Sequence, residues 1–241
     1  MGKIYLLLGA SSEVCCAFLR QHAWQPDDKI IAQYFSNAAA LIELQKKIPA
    51  EMILRRADFS DFNSTNNFIA SLDFCPTHIL HVPAVPVESK RFTEISWSEA
   101  ERQLNVQCRS LWQVLQAIMP KMSKAKFGNI VLILSSYTMN VPPKFLSAYV
   151  MTKYALMGFG KALAAEYASK NIRVNMISPS MMETKFLQNL YGAIIEQSAH
   201  ANPLKRNATP EDVANLIEYL FSAKSAFITG ANIPVTGGET F

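Results

Sequence analysis

Short apolar runs alternate with longer amphipathic ones along the whole chain, and no other feature restricts its fold as much. The runs at 3–8, 29–34, 52–57, 78–82, 129–135, 173–177 and 232–235 are mostly apolar throughout, as strands covered on both faces are. Helical periodicity fills the gaps, over 13–22, 38–47, 64–72, 98–122, 147–169, 182–197 and 210–222. Strand and helix in regular succession are βαβ units, so the chain is expected to form an α/β, doubly wound sheet of seven parallel strands. Its 241 residues contain no repeat, low-complexity tract or linker, which predicts one domain spanning 1–241.

Composition narrows the function classes. The net charge of +4 comes from scattered lysines and arginines without interleaved aromatics, which argues against a nucleic-acid partner. No apolar segment approaches the roughly 20 residues that span a bilayer, and the first apolar run is too short for a signal peptide. A cytoplasmic protein without membrane contact is therefore expected. Cys15, Cys16, Cys75 and Cys108 have no metal-ligand spacing, so no metal site is expected and the thiols should be reduced.

Tyr149-Val150-Met151-Thr152-Lys153 lies on a predicted helix, where a separation of four puts Tyr149 and Lys153 on one face. An ammonium beside a phenol favours the phenolate, as a tyrosine acid/base working near neutral pH requires. Such a pair also occurs on ordinary helix surfaces. Its context adds weight, because Ser135-Ser136 ends the strand upstream, where side chains of an open parallel sheet face the ligand crevice. Asn105, in the apolar helical run 104–115, is either a satisfied core amide or part of the same site.

With these residues the chain resembles the short-chain dehydrogenase/reductase family, and within it the 3-oxoacyl-acyl-carrier-protein reductase type. Gly128-Asn129-Ile130-Val131-Leu132-Ile133-Leu134-Ser135-Ser136 is similar to the family's strand into its catalytic serine, and Asn105-Val106 to its catalytic asparagine. Ile172-Arg173-Val174-Asn175, Pro210-Glu211-Asp212-Val213-Ala214 and Ile228-Thr229-Gly230 match later motifs in order. The resemblance implies a Rossmann-type fold and a catalytic tetrad of Asn105, Ser136, Tyr149 and Lys153, the spacing to Tyr149 selecting Ser136 over Ser135. It implies that Tyr149 protonates a carbonyl oxygen held by Ser136 during hydride transfer. Lys153 would lower the tyrosine pKa and grip the nicotinamide ribose, and Asn105 would support a water relay.

The glycine-rich turn departs from the family. Its positions are Leu8, Gly9, Glu13 and Cys15, so only the tight-turn glycine is kept, beside Ser11, Ser12 and Val14. Glu13 brings a carboxylate to where a pyrophosphate meets a helix N-terminus, which implies weakened affinity. Val82-Pro83-Ala84-Val85 replaces Asn-Asn-Ala-Gly, with Ala84 alone matching, and Pro179-Ser180 replaces Pro-Gly. Other cofactor contacts implied by the resemblance are Asp58 and Phe59 at the adenine, and Thr184 beside the pyrophosphate or carboxamide. The second strand ends Gln33-Tyr34-Phe35-Ser36-Asn37, with neither an acid nor an arginine in the segment. Tyr34, Ser36 and Asn37 resemble the neutral, hydroxyl-rich set of NADP-preferring members, which implies NADP(H) over NAD(H).

The resemblance implies that residues 181–201, rich in Met, Phe, Leu, Tyr and Ile, form a lid over the substrate, where an acyl chain or ring ketone would fit. The resemblance implies a homodimer or homotetramer built on helices 98–122 and 147–169, or an assembly with a related subunit. Two functional readings follow. The first is an NADPH-dependent reductase of a 3-oxoacyl thioester, bound to acyl-carrier protein or CoA, in fatty-acid or polyketide synthesis. The second is a catalytically impaired relative acting as scaffold or partner subunit of an active one.

Overall fold

The computed structural model describes residues 2–184 and 192–240. Seven parallel strands, β1 (Ile4–Leu8), β2 (Lys29–Tyr34), β3 (Glu51–Arg56), β4 (His78–His81), β5 (Gly128–Ile133), β6 (Ile172–Pro179) and β7 (Asn232–Val235), form one sheet in the order β3-β2-β1-β4-β5-β6-β7. The expected doubly wound α/β architecture is therefore present in a single domain. The order reverses between β1 and β4, which opens a crevice outside their carboxyl ends.

Successive strand residues pack into opposite layers, which is why the strands read as unbroken apolar runs. Tyr5, Leu7, Ile30, Ala32, Val131 and Ile133 face the layer of α1 (Glu13–Gln21), α2 (Ala39–Gln45) and α8 (Pro210–Phe221). Leu6, Leu8, Ile31, Ile130, Leu132 and Leu134 face α3 (Phe62–Ala70), α5 (Ser110–Ala125) and α6 (Ser147–Tyr167). The caps follow local chemistry. Ser12 accepts the Cys15 N–H at 3.2 Å to start α1, and Thr209 forms a capping box with Asp212 ahead of Pro210.

Two helices differ from expectation. The span 98–122 is α4 (Trp97–Leu104), a π-helical turn at Asn105–Arg109, and then α5, so the ladder widens at Asn105, whose carbonyl accepts the Ser110 N–H. The helix expected from Met182 begins at Gly192 among the described residues, as α7 (Gly192–Ala201), and segment 185–191 lies outside them. Met182 instead makes a parallel bridge with Ala208, and Met181 O accepts the Ala208 N–H at 3.0 Å. Apolar periodicity without a capping residue did not mark where this helix starts. No helix is long and apolar enough to cross a membrane, and no group of three metal-ligating side chains gathers, among the described residues.

Candidate active site

The carboxyl end of β5, the start of α6 and the π-helical turn meet at the crevice. Tyr149 and Lys153, one turn apart on α6, are both buried. The Lys153 Nζ donates to the carbonyl oxygen of Ile133 at 3.0 Å and lies 5.5 Å from the Tyr149 ring centroid. Burial pulls the lysine down to about 8, the nearby Cys108 opposing slightly. Burial also pushes the Tyr149 phenol well above its ordinary value, opposed by a hydrogen bond with the Ser135 hydroxyl. The expected lowering of the tyrosine by Lys153 is not what this geometry produces: desolvation dominates, and the ammonium is aimed at a backbone carbonyl. A phenol held neutral is in the protonation state of a proton donor.

Of the two serines, the one hydrogen-bonded to Tyr149 is Ser135. Its backbone is extended two residues beyond the end of β5, and its Oγ also accepts the Tyr137 N–H at 3.3 Å. Ser136, expected in that place from its spacing, is buried as the first residue of the turn that follows. Asn105 is half-buried at the head of the π-helical turn, and Cys108 of the same turn donates to the Thr152 carbonyl on α6 at 3.7 Å. Val87 and Leu146 pack with Tyr149, and the Tyr137 ring meets it edge-on at 6.4 Å. The open side of the phenol is thus apolar and aromatic.

Along the crevice, Gly9 adopts φ +74°, and a Cβ there would stand 2.8 Å from the nitrogen of Pro83, which is buried against the turn. Gln33, to which the sequence assigns no role of its own, braces this point: it accepts the Gly9 N–H at 2.8 Å and donates to the Ala57 carbonyl at 2.8 Å, joining the ends of β1 and β3. Ser11 is exposed, Ser12 is used as the helix cap, and Val14 is buried in the core. The Glu13 and Val14 amides precede the first intrahelical bond of α1, as the amides of an anion-binding helix start do. Glu13 is the first residue of that helix, and its carboxylate raises the Cys16 thiol, behind the larger effect of burial and against Arg20.

At the far end, Tyr34 is half-buried and Ser36 and Asn37 are exposed, the Asn37 side chain capping Ala39 at 2.9 Å. Asp58 accepts the Ser60 N–H and hydroxyl at 2.8 and 2.7 Å, and buried Phe59 gives its carbonyl to Arg109 at 3.3 Å. An arginine absent from the β2 segment arrives from its neighbour: Arg56 Nε donates to the Phe35 carbonyl at 3.2 Å. Ala84 is half-buried beside Pro83, Pro179 is buried at the end of β6, and Thr184 is half-buried.

These residues fit a nicotinamide dinucleotide at both ends. Ser180 next to Pro179 is buried with its Oγ unpartnered among the described residues, at the edge of a cavity of about 300 Å³ lined also by Asn202, Val235 and Thr236. Glu13 fits least, as a carboxylate in the first turn of the helix that would meet the pyrophosphate.

A family model described as enoyl-(acyl carrier protein) reductase matches residues 21–240. Nodulation protein G of Azospirillum brasilense is 28% identical over 99% of this chain and 98% of its own. Acetoacetyl-CoA reductase of Allochromatium vinosum is 30% identical over 84% of each chain. A crystal structure of a 3-oxoacyl-[acyl-carrier protein] reductase with bound NAD from Brucella melitensis has a TM-score of 0.85 at 22% identity, covering 98% of this chain and 90% of that one.

Proposed function

We propose that this chain, which belongs to the short-chain dehydrogenase/reductase family of NAD(P)-dependent enzymes, reduces a ketone with NADPH, the substrate being a 3-oxoacyl thioester. The observation that carries the reading is a buried Tyr149 phenol, kept neutral, hydrogen-bonded to Ser135 and one turn from Lys153 at the carboxyl end of β5. When bound, the nicotinamide would supply hydride to the carbonyl carbon. Tyr149 gives its proton to the carbonyl oxygen, and Ser136, next to Ser135, hydrogen-bonds that oxygen. Lys153, held by Ile133 O, offers its remaining protons to the ribose hydroxyls, and Asn105 carries water toward it. Val87, Tyr137 and Leu146 supply an apolar wall suited to an acyl chain.

The likeness to an acetoacetyl-CoA reductase supports a thioester substrate. We further assign the protein to the cytoplasm and to a dimer or tetramer built on α5 and α6. The scaffold reading keeps two observations in its favour: Pro83 is packed on Gly9, and Glu13 heads α1, both where a pyrophosphate would sit. Titration with NADPH and NADH, followed by nicotinamide fluorescence, and turnover of an acetoacetyl thioester separate the two. Binding with turnover is expected, and Tyr149→Phe should keep the binding and lose the turnover. Failure to bind either cofactor at millimolar concentration overturns the reductase.

A further inference from the structure

Discrimination between the two nicotinamide cofactors turns on the end of β2, where Gln33 to Asn37 hold neither an acid to repel a 2′-phosphate nor a base to bind one. The register of the sheet supplies the base. Arg56, the last residue of β3, is the parallel partner of Tyr34, so their side chains leave the sheet on the same face. That is the face on which Ala32 and Leu54 meet α1 and α2. The Nε bond to the Phe35 carbonyl fixes the guanidinium against the turn that carries Ser36 and Asn37.

The rest of the guanidinium is uncommitted. Arg56 is exposed, and among the described residues its Nη donors have no hydrogen-bond partner and no carboxylate pairs with it. Asp61, in the same open groove, is occupied as the cap of α3 by the Ser64 N–H at 2.6 Å. Arg109, Arg173 and Arg206 are engaged, by the Phe59 and Ser60 carbonyls, by those of Leu220 and Ile228, and by Asp212; what sets Arg56 apart from exposed Arg55 is its bond to the turn after β2. Arg56 is thus held at one nitrogen and free at two, the arrangement in which a guanidinium grips a phosphate with parallel hydrogen bonds.

We infer that Arg56 determines cofactor specificity by binding the 2′-phosphate of NADPH beside the Tyr34 and Ser36 hydroxyls. This rests on the cofactor reading above and adds the residue that discriminates. The test is equilibrium titration of the full chain with NADPH, NADH, 2′,5′-ADP and 5′-AMP, in the wild type, Arg56→Gln and Arg55→Gln. Arg55 is the control: it lines the same open groove but is paired with Gln33 rather than Tyr34 and makes no bond to the turn after β2 among the described residues. Loss of a charge-assisted contact corresponds to about ten- to hundredfold in affinity. That loss is expected for NADPH and 2′,5′-ADP in Arg56→Gln alone, with NADH and 5′-AMP unchanged. Equal weakening of phosphorylated and unphosphorylated ligands, or no weakening, overturns the role of Arg56 while leaving NADPH binding intact. No binding of any of the four ligands to the wild type overturns both.

Discussion

The Lys153 ammonium is bonded to the carbonyl oxygen of Ile133, the last residue of β5, at 3.0 Å. A lysine this deep is anchored by a neutral acceptor, so its charge is desolvated, and among the described residues no carboxylate compensates it. Such a group costs stability in exchange for function.

The cost has a predictable pH dependence. With the folded pKa near 8 and the unfolded one near 10.5, the penalty is full below pH 8 and fades as pH rises toward 10.5, because the folded chain releases this proton first. The amount is on the order of 3 kcal/mol. Urea denaturation of the wild type and Lys153→Met at pH 7, 8.5 and 10, each compared also with Cys108→Ala, isolates it: the Lys153 charge lowers the Cys108 thiol that burial raises, whereas the contribution of Tyr149 cancels in the difference. The variant should be the more stable at pH 7 and lose that advantage by pH 10, and a difference that does not change with pH would refute the argument.

The adjacent serines make separable contributions. Ser135→Ala removes the hydrogen bond that opposes burial of the phenol, so activity in the reducing direction should persist to higher pH while kcat falls about tenfold. Ser136→Ala should leave the position of that limb unchanged and lower kcat about a hundredfold or more, as loss of an oxyanion donor does. Full activity with an unshifted pH profile in Ser135→Ala would deny Ser135 its part.

What could be read from the chain follows from which interactions are local. Strands covered on both faces are unbroken apolar runs, so the sheet and its seven members were legible, and Tyr149 with Lys153 was legible because one helical turn links them. Gln33 and Arg56 were not, because their partners, Gly9, Ala57 and Phe35, come from neighbouring strands and depend on register. The π-helical turn at Asn105 replaces one hydrogen-bond ladder by another without changing the apolar spacing. Ser135 and Ser136 differ only in how the chain turns after the strand, which spacing to Tyr149 does not encode.

Glu13 weighs helix stability against ligand affinity. As the first residue of α1 its carboxylate meets the positive end of the helix, so Glu13→Gln should cost the free protein about 0.5 kcal/mol. Removing the charge should tighten NADPH about five- to tenfold at low salt, with a smaller gain at high salt. Thermal melting and fluorescence titration on the same preparations check both signs. Unchanged affinity would mean that the carboxylate is directed away from the pyrophosphate by the contacts it already makes.

The assembly can be tested at a position the isolated chain hardly notices. Trp112 on α5 is 56% exposed with its ring stacked on Phe159 of α6 at 5.1 Å, an apolar anchor of the kind that dominates interfaces. Beside it on α6, Gly158 is exposed, and a Cβ added there meets nothing within 4 Å. Gly158→Leu should therefore leave the fold intact, and by helix propensity should stabilise a monomer by up to about 1 kcal/mol. If helices of two subunits cross closely at this glycine, the same leucine fills the space the partner needs. Light scattering should then show a dimer or tetramer for the wild type and monomers for Gly158→Leu and Trp112→Glu. A wild-type monomer, or an assembly that tolerates both substitutions, would move the interface away from α5 and α6.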